Sequence, residues 1–196
     1  MSLTREDWLV AAVGALRQHG IEGVRIDVLA RELGVSRGSF YWHFRDRSAL
    51  LECIMQRWEE ETEWLITGAS EGSSPRERAY RFFELAIVSP YPPDREIFAW
   101  ARRDDAIARR VGLVEEKRMA FFTRVLEDEG VASAFAARLG EVLYLSTLGW
   151  LERRWRNPSG DDGFERFSRG ITDLVLREGM LLTADPQRAT RSTTSL

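Results

Sequence analysis

The sequence predicts an all-α protein of about nine helices. Apolar residues recur at spacings of three and four along most of the chain, which is the period of an amphipathic helix. Gly, Ser, Asp and Pro stand between these periodic segments, where helices begin and end, and no segment alternates like a convincing strand. The closing stretch TADPQRATRSTTSL is polar, and it predicts a disordered tail over residues 184–196.

The composition is that of a globular chain. Its 196 residues are 44% hydrophobic and 30% charged, enough for one large or two small domains with a core. No apolar run approaches the roughly 18 residues of a membrane helix, and the start MSLTREDW has no signal-peptide character. The single cysteine, Cys53, excludes an internal disulfide and predicts a cytoplasmic protein. Two interpretations of Cys53 stay open, a redox sensor and a buried inert thiol.

The first helix has clear start and stop signals. Thr4 and Asp7 form a capping-box pattern, in which each side chain accepts a hydrogen bond from the other residue's backbone. Gly20 is the predicted end of this helix. Its buried stripe is predicted to contain Trp8, Leu9, Ala12, Val13 and Leu16.

Residues 26–51 predict two short helices joined by a tight turn. Leu29, Ala30 and Leu33 give the first helix one apolar face. Gly34 supplies the left-handed conformation that ends it, Val35 is expected to fill the corner, and Ser36 is a good N-cap for the second helix. Phe40 and Phe44, four residues apart, are predicted to pack inward.

The second short helix carries few core residues and many groups that can contact DNA. Guanidinium groups suit guanine edges, and hydroxyl and imidazole groups suit phosphate oxygens, as on the second helix of a helix–turn–helix. The alternative is an ordinary helical hairpin whose aromatic residues are all core. The residues predicted to face outward or sideways, called the docking face below, are Arg37, Gly38, Ser39, Tyr41, Trp42 and His43.

The segment GVSRGSFYWHFRDRSALL resembles the DNA-binding signature of the TetR family of transcriptional regulators. The shared pattern is a Gly-Val-Ser turn, an aromatic pair with His-Phe, a basic residue and Ala-Leu-Leu, and it extends back to Trp8, covering roughly the first third of the chain. The resemblance implies a homeodomain-like helix–turn–helix domain over 1–50 and a helical ligand-binding and dimerisation domain over 51–183. It implies a sequence-specific regulator, most often a repressor, that binds a palindromic double-stranded operator as a homodimer and is released by a small-molecule effector.

The resemblance also assigns residues. Arg47, the first residue of a helix capped by Asp46, lies where the family has a basic phosphate contact. Arg25 departs from the family, which has Thr or Ser there as a cap and phosphate ligand; either Asp27 caps two residues later or Arg25 reaches a phosphate. The DNA-binding residues are predicted to be Arg25, Ser36, Arg37, Gly38, Ser39, Tyr41, Trp42, His43 and Arg47.

Charge gives little support for nucleic acid. The net charge is −3, and residues 1–50 hold seven Arg against six acids, which is +1. A DNA-binding surface usually shows a basic footprint. Any positive patch must therefore come from the arrangement of Arg25, Arg37, Arg45 and Arg47.

The remaining helices are bounded by caps and breakers. We expect a long helix from Arg47 to about Thr67, a break at GASEGSSP (68–75), and a helix over 76–88 that ends before the proline-rich SPYPPD loop. Further helices are predicted from Asp94 to Arg103, from Asp104 or Asp105 to Glu129, and over 132–156 before NPSG. The last is predicted from Asp161 or Asp162 to about Leu182.

The last two helices carry more apolar surface than one core needs. Interior packing is one explanation, and a two-fold dimer through a four-helix bundle, with Gly140 and Gly149 allowing close approach, is the one we favour. The residues concerned are Val142, Leu145, Leu148, Gly149 and Trp155 on the first helix and Phe164, Phe167, Ile171, Leu174 and Val175 on the second.

The middle helices hold the candidates for an effector pocket. Helical spacing makes most of their aromatic residues core, whereas the resemblance implies a mostly apolar pocket with a few polar groups. The candidates are Trp64, Phe83, Trp100, Arg118, Phe122, Tyr144, Thr147 and Trp150.

Two rival functions remain. The pair Asp104 and Asp105 is the feature that would support a helical enzyme with a divalent metal, but helix capping explains it better. A DNA-binding dimer without an effector is the other. We expect no catalytic residue, metal or cofactor, and the sequence identifies neither effector nor operator.

Overall fold

The protein is all-α in the computed structural model, which describes residues 3–89, 94–156 and 163–187. This part of the chain contains nine α-helices, one 3₁₀ turn and no strand, so the predicted fold class is confirmed. The elements are α1 (Arg5–His19), the 3₁₀ turn (Ile21–Gly23), α2 (Ile26–Glu32), α3 (Arg37–Phe40), α4 (Arg47–Ser70), α5 (Pro75–Val88), α6 (Asp94–Ala101), α7 (Asp105–Asp128), α8 (Ser133–Arg156) and α9 (Phe164–Ala184).

The start and end of α1 follow from its sequence. The Asp7 backbone N–H donates to Thr4 Oγ1 at 3.2 Å, and the Thr4 N–H donates to Asp7 Oδ2 at 2.7 Å, which completes the predicted capping box. Hydrogen bonds from the Thr4 backbone and side chain hold the pKa of Asp7 below its ordinary value. Gly20 ends the helix at φ 66°, and its N–H donates to Leu16 O.

Helix α4 is longer than predicted. It runs to Ser70 rather than Thr67, so the break is confined to residues 71–74. Gly68 and Ala69 continue the helix, and the Ser70 hydroxyl donates to Ile66 O at 2.6 Å, a bond that a helical serine makes readily. Ser74 then caps α5, which begins with Pro75 in the first turn.

The later helices begin and end close to their signals. Helix α6 ends at Ala101, two residues before the predicted Arg103, and α7 follows Asp104, whose Oδ1 accepts from the N–H groups of Ala106 and Ile107. Helix α9 begins at Phe164, after Gly163 at φ 55°. Residues 90–93 of the SPYPPD loop, NPSG, Asp161, Asp162 and the tail from residue 188 lie outside the described residues.

The chain forms two compact units. The first comprises Met1–Glu61 and Pro90–Val114, and the second comprises Thr62–Ser89 and Glu115–Leu196. Helices α4 and α7 each contribute to both. The predicted domain limits, 1–50 and 51–183, stay predictions.

Each unit has its own core. In the first, fully buried side chains come from α1 to α4 and from α6, and burying an apolar side chain contributes about 1.5–3 kcal/mol; the largest are Trp8, Trp58 and Phe40. The second is built on stacked rings: Phe83 lies 5.1 Å from Phe122 and Phe82 lies 5.1 Å from Phe121, between centroids. Among the described helices, none is both long and apolar enough to cross a membrane.

Candidate nucleic-acid interface

The turn between α2 and α3 has the predicted construction. Gly34 lies at φ 69°, a left-handed conformation that a residue with a Cβ adopts at a cost of about 1–2 kcal/mol. Its N–H donates to Arg31 O at 3.2 Å, and the Val35 N–H donates to Ala30 O at 2.9 Å. Val35 is half-buried against the first core, so it fills the corner as expected.

Helix α3 is a single turn that continues as turn structure to His43. Backbone bonds from Tyr41 to Gly38 and from His43 to Phe40 extend it, at 3.2 and 2.9 Å. Ser36 occupies the N-cap position, but its side chain makes no capping hydrogen bond, so the predicted side-chain cap is wrong. Its exposed hydroxyl is left on the surface beside Arg37.

Two phenylalanines anchor this turn to the core. Phe40 is fully buried and Phe44 nearly so, with ring centroids 5.4 Å apart. Trp8 of α1 meets Phe40 edge-on at 5.3 Å. The predicted inward packing of Phe40 and Phe44 is therefore confirmed, and it fixes which side chains point away from the core.

The docking face is largely open to solvent. Trp42 is 87% exposed and Tyr41 is 54% exposed, whereas large aromatic side chains are usually well buried. Arg37 and Gly38 are also exposed, and Ser39 and His43 are half-buried. The hairpin alternative, in which all these aromatic residues are core, is wrong for Tyr41 and Trp42.

The predicted basic patch is partly neutralised by neighbouring acids. Arg25 Nη2 lies 3.0 Å from Asp27 Oδ2, and Arg45 Nε lies 2.9 Å from Asp46 Oδ2, both on the surface. Such exposed pairs contribute only about 0–1 kcal/mol, so a phosphate can replace the acid. Among the described residues, Arg37 has no acidic partner, which leaves it the available cation of the docking face.

The structure decides one of the two alternatives predicted at Arg25, the capping of α2 by Asp27. Arg25 occupies the N-cap position of α2 without a side-chain cap, and Asp27 lies inside the first turn. Asp27 therefore does not cap two residues later, and its carboxylate pairs with Arg25 instead. A phosphate contact from Arg25 stays a prediction.

Arg47 is the first residue of α4, as predicted, but its side chain is directed to the main chain. Nε donates to Val24 O and Nη2 donates to Ile21 O, both at 2.6 Å. Two of the three side-chain nitrogens of Arg47 therefore have partners within the protein. The phosphate contact of Arg47 stays a prediction. Asp46 caps α4 through the Ala49 N–H at 2.8 Å, and that hydrogen bond is the main cause of its lowered pKa.

Sequence reasoning missed Arg5. Its guanidinium lies 4.9 Å from the centre of the Phe44 ring, and Nη2 lies 2.6 Å from Cys53 Sγ. Arg5 therefore covers the edge of the first core, where Cys53 is buried. No spacing in the sequence signals this contact between residues 48 positions apart.

The predicted effector residues do not all come together. Trp100 packs on the first core, while the other seven belong to the second unit. Trp64 is half-buried, and the remaining six are buried: Phe83, Arg118, Phe122, Tyr144, Thr147 and Trp150. Their role as ligand contacts stays a prediction, and Trp100 is separated from that set.

The buried polar groups of this set have partners in the second unit. Arg118 Nε donates to Thr62 Oγ1 at 3.2 Å, and the Thr147 hydroxyl donates to Leu143 O at 2.9 Å. The Tyr144 hydroxyl lies 3.5 Å from Glu115 Oε1. Thr62 and Glu115 are polar neighbours that the sequence analysis did not single out.

Asp104, one of the two acidic residues of the rival enzyme hypothesis, has a structural role. Asp104 caps α7 with one carboxylate oxygen, at 2.9 Å from Ala106 N and 3.2 Å from Ile107 N. Within the described ranges, no group of three or more His, Cys, Asp or Glu side chains is arranged to hold a metal ion. The enzyme alternative therefore receives no support.

The predicted dimerisation residues fall into two groups. Phe164 and Val175 are buried, and Leu148, Phe167 and Ile171 are half-buried, so these five pack within the second unit. Val142, Leu145 and Leu174 are 45%, 51% and 62% exposed, and Gly149 is open to solvent. Gly140 instead packs on α7, where an added Cβ would lie 2.9 Å from Thr123 N. The Trp155 side chain lies outside the described residues.

These observations define an all-α protein with an N-terminal helix–turn–helix. Residues 9–54 match the sequence profile of the bacterial regulatory proteins of the tetR family. The N-terminal part of the chain, about a quarter of its length, is therefore similar to the DNA-binding region of that family.

The similarity to individual proteins is of two kinds, a short match near the N-terminus and a longer match over most of the chain. The chain is 36% identical over 52 residues to the class D tetracycline repressor protein of Escherichia coli, which is 26% of this chain and 24% of that protein. The match thus spans about a quarter of the length of such curated relatives. A longer match, 24% identical over 188 residues, covers 85% of this chain and 86% of the HTH-type transcriptional repressor BepR of Brucella suis.

Solved structures share the fold over most of the chain. A TetR-family transcriptional regulator from Streptomyces coelicolor superposes with a TM-score of 0.73 at 18% identity, covering 89% of this chain and 94% of the other. At that identity the likeness establishes the fold alone.

Proposed function

We propose that this protein is a cytoplasmic, homodimeric, sequence-specific DNA-binding regulator of transcription. We propose further that it is a repressor, released from a palindromic operator by a small-molecule effector, and not an enzyme. The observation that carries the proposal is the docking face: an exposed Trp42, Tyr41 and Arg37 on a turn whose opposite side is anchored by buried Phe40 and Phe44.

The docking face has the chemistry to read base edges. Arg37 offers a planar fork of donors that fits the O6 and N7 atoms of guanine. Tyr41 and Trp42 offer apolar surface for thymine methyl groups, and the hydroxyl of Tyr41 can donate to phosphate. Gly38 permits close approach, and we assign Ser36, Ser39, His43 and Arg25 to phosphate or sugar contacts.

A second copy is proposed to pair through α8 and α9. Val142, Leu145 and Leu174 expose an apolar surface on these helices, and Gly149 lets another helix approach closely. A regulator that reads a palindrome requires two docking faces about 34–36 Å apart, one helical turn of DNA. Pairing would bury the exposed apolar side chains of α8 and α9.

The effector is proposed to bind in the second unit, among Phe83, Phe122 and Tyr144. The relative similar over most of its length is named a repressor, which supports that direction of regulation. An effector acts only through its different affinity for the DNA-bound and free shapes. A dimer that binds DNA without any effector is the simpler alternative.

The test begins with selection of bound DNA from a random pool by the full-length protein. Gel-shift titration of the selected duplex should show that Arg37→Ala weakens binding by about 1–3 kcal/mol and relaxes preference at one base position. Arg109→Ala, which removes an exposed arginine of α7, is the matched control and should bind like wild type. Selection of no sequence, or full binding by Arg37→Ala and Tyr41→Ala alike, would contradict the proposal.

A further inference from the structure

The Arg47 side chain joins two parts of the first unit. It begins α4, and its half-buried guanidinium donates to Val24 O and Ile21 O, both at 2.6 Å. These carbonyls belong to the segment 21–24, which contains the 3₁₀ turn and leads directly into α2. A single side chain therefore connects the start of α4 to the entrance of the helix–turn–helix.

The chemistry of this contact requires an arginine. The Nε and Nη2 groups lie on one edge of a rigid planar fork, so they bind two carbonyl oxygens at a fixed separation. A lysine at the same position places its donors on one nitrogen and cannot reproduce that geometry. Charged donors also make stronger hydrogen bonds to carbonyls than neutral donors do.

The segment 21–24 packs closely on α1, where a Cβ added at Gly23 would lie 2.4 Å from His19 Cβ, and it is joined to α4 by the Arg47 bonds. Its internal bonds are those of a short turn, Gly23 N to Gly20 O at 3.0 Å and Val24 N to Ile21 O at 3.3 Å. Val24 is buried, and Ile21 is half-buried. Val24 anchors the segment in the first core, and the two Arg47 bonds join it to the start of α4.

The same region borders helices α6 and α7. A surface cleft of about 410 Å³ is lined by the 3₁₀ turn, the start of α4 and the turn between α6 and α7. Arg47 lines it together with Glu22, Trp100 and Asp104. The Arg47 contact thus lies where three parts of the first unit meet.

We propose that Arg47 is a positioning residue for DNA recognition, acting through the segment 21–24 rather than by neutralising a phosphate. It holds the helix–turn–helix to α4, so that the docking face follows α4 as one body. This inference rests on the proposed DNA-binding function.

The test compares Arg47→Lys and Arg47→Met with Arg109→Met, on the duplex selected by the wild type. Binding is measured against salt concentration, and each Kd is corrected for the active fraction of protein. A phosphate contact contributes about −0.9 to the slope of log K against log salt. We expect both Arg47 variants to lose about tenfold or more in affinity, because both break the two charged hydrogen bonds. We expect the slope of log K against log salt to stay at its wild-type value in both variants.

Two further measurements separate positioning from simple loss of stability. Duplexes with half-sites moved apart by one base pair should be rejected less strongly by Arg47→Lys than by wild type, because the docking face is held less firmly. A fold that is merely less stable lowers the active fraction for every duplex alike. Arg109→Met, which removes an exposed charge of α7, should keep the wild-type affinity and spacing preference.

Hydrogen exchange tests the contact without DNA. The Val28 and Leu29 amides close the first turn of α2 on Arg25 O, and in Arg47→Lys they should exchange faster while amides of α5 and α9 stay unchanged. Near-wild-type binding by Arg47→Lys, with a slope shallower by about 0.9 in Arg47→Met, would instead show a phosphate contact and overturn the proposal. Unchanged exchange in α2 would also overturn it. If the wild type selects no DNA, the proposed function fails, and the exchange result still decides whether Arg47 holds the segment.

Discussion

The docking face and the core of the second unit use aromatic residues in opposite ways. On α3 and its extension, Phe40 and Phe44 are buried while Tyr41 and Trp42, between them in sequence, are exposed. In the second unit, Phe82, Phe83, Phe121 and Phe122 are all buried and lie against one another. Adjacent aromatic residues therefore form a packed core in one region and a solvent-exposed surface in the other, and burial distinguishes the two.

The largest expected effect is on the stability of the core of the second unit. Phe122→Ala should lower the free energy of unfolding by about 3–5 kcal/mol, because a fully buried ring is replaced by a cavity. Trp42→Ala should change it by no more than about 0.5 kcal/mol, because the side chain is exposed, yet it should weaken binding to the selected duplex. Urea unfolding and gel shifts measure both. Strong destabilisation by Trp42→Ala would show that it is not a free surface residue.

A smaller effect is expected at the turn that presents the docking face. Gly34→Ala should cost about 1–2 kcal/mol, because φ is 69° and an added Cβ meets no atom within 4 Å, so the cost is backbone strain alone. Gly112→Ala, in the interior of α7 and also with open space, should instead stabilise by about 0.5–1 kcal/mol. Thermal melts of the two variants should move in opposite directions. The same sign at both positions would refute this account of the turn.

The smallest effect lies on the surface of the second unit. Burial, followed by the hydrogen bond to Asp173 at 2.8 Å, raises the pKa of Tyr80 to about 12. The folded state therefore holds its proton more tightly than the unfolded chain, so this contribution is present below about pH 10 and is lost as pH rises toward 12. Absorbance titration of the wild type and of Tyr80→Phe should show that the variant loses the late-ionising absorbance of one of the four tyrosines. An unchanged late step in Tyr80→Phe would show that the Tyr80 hydroxyl does not ionise late.

Local signals were sufficient for much of the fold. Thr4 with Asp7, Gly20, Gly34, Asp46 and Asp104 mark the helix boundaries correctly, because caps and left-handed glycines act through neighbouring backbone groups. The same rules failed at Thr67, where Gly68 and Ser70 look like a break but continue α4. Ala69 is buried, and that burial outweighs the weak helix propensity of its neighbours.

Contacts between distant parts of the chain could not be predicted in the same way. The bonds from Arg47 to Ile21 and Val24, and from Arg5 to Cys53, join residues 23 to 48 positions apart. Trp100 illustrates the same limit, because its helical spacing is like that of the other effector candidates and yet it packs on the first core. Spacing reports which side of a helix is apolar, and it does not report which neighbour covers that side.

The sequence by itself determined the helices, the turn at Gly34 and the family signature, since each depends on residues within a few positions of one another. The tertiary structure alone decided which aromatic side chains reach solvent and where each arginine directs its donors. Burial, and hydrogen bonds between side chains and residues distant in sequence, depend on the neighbours that folding brings close. Those neighbours are not local in the chain.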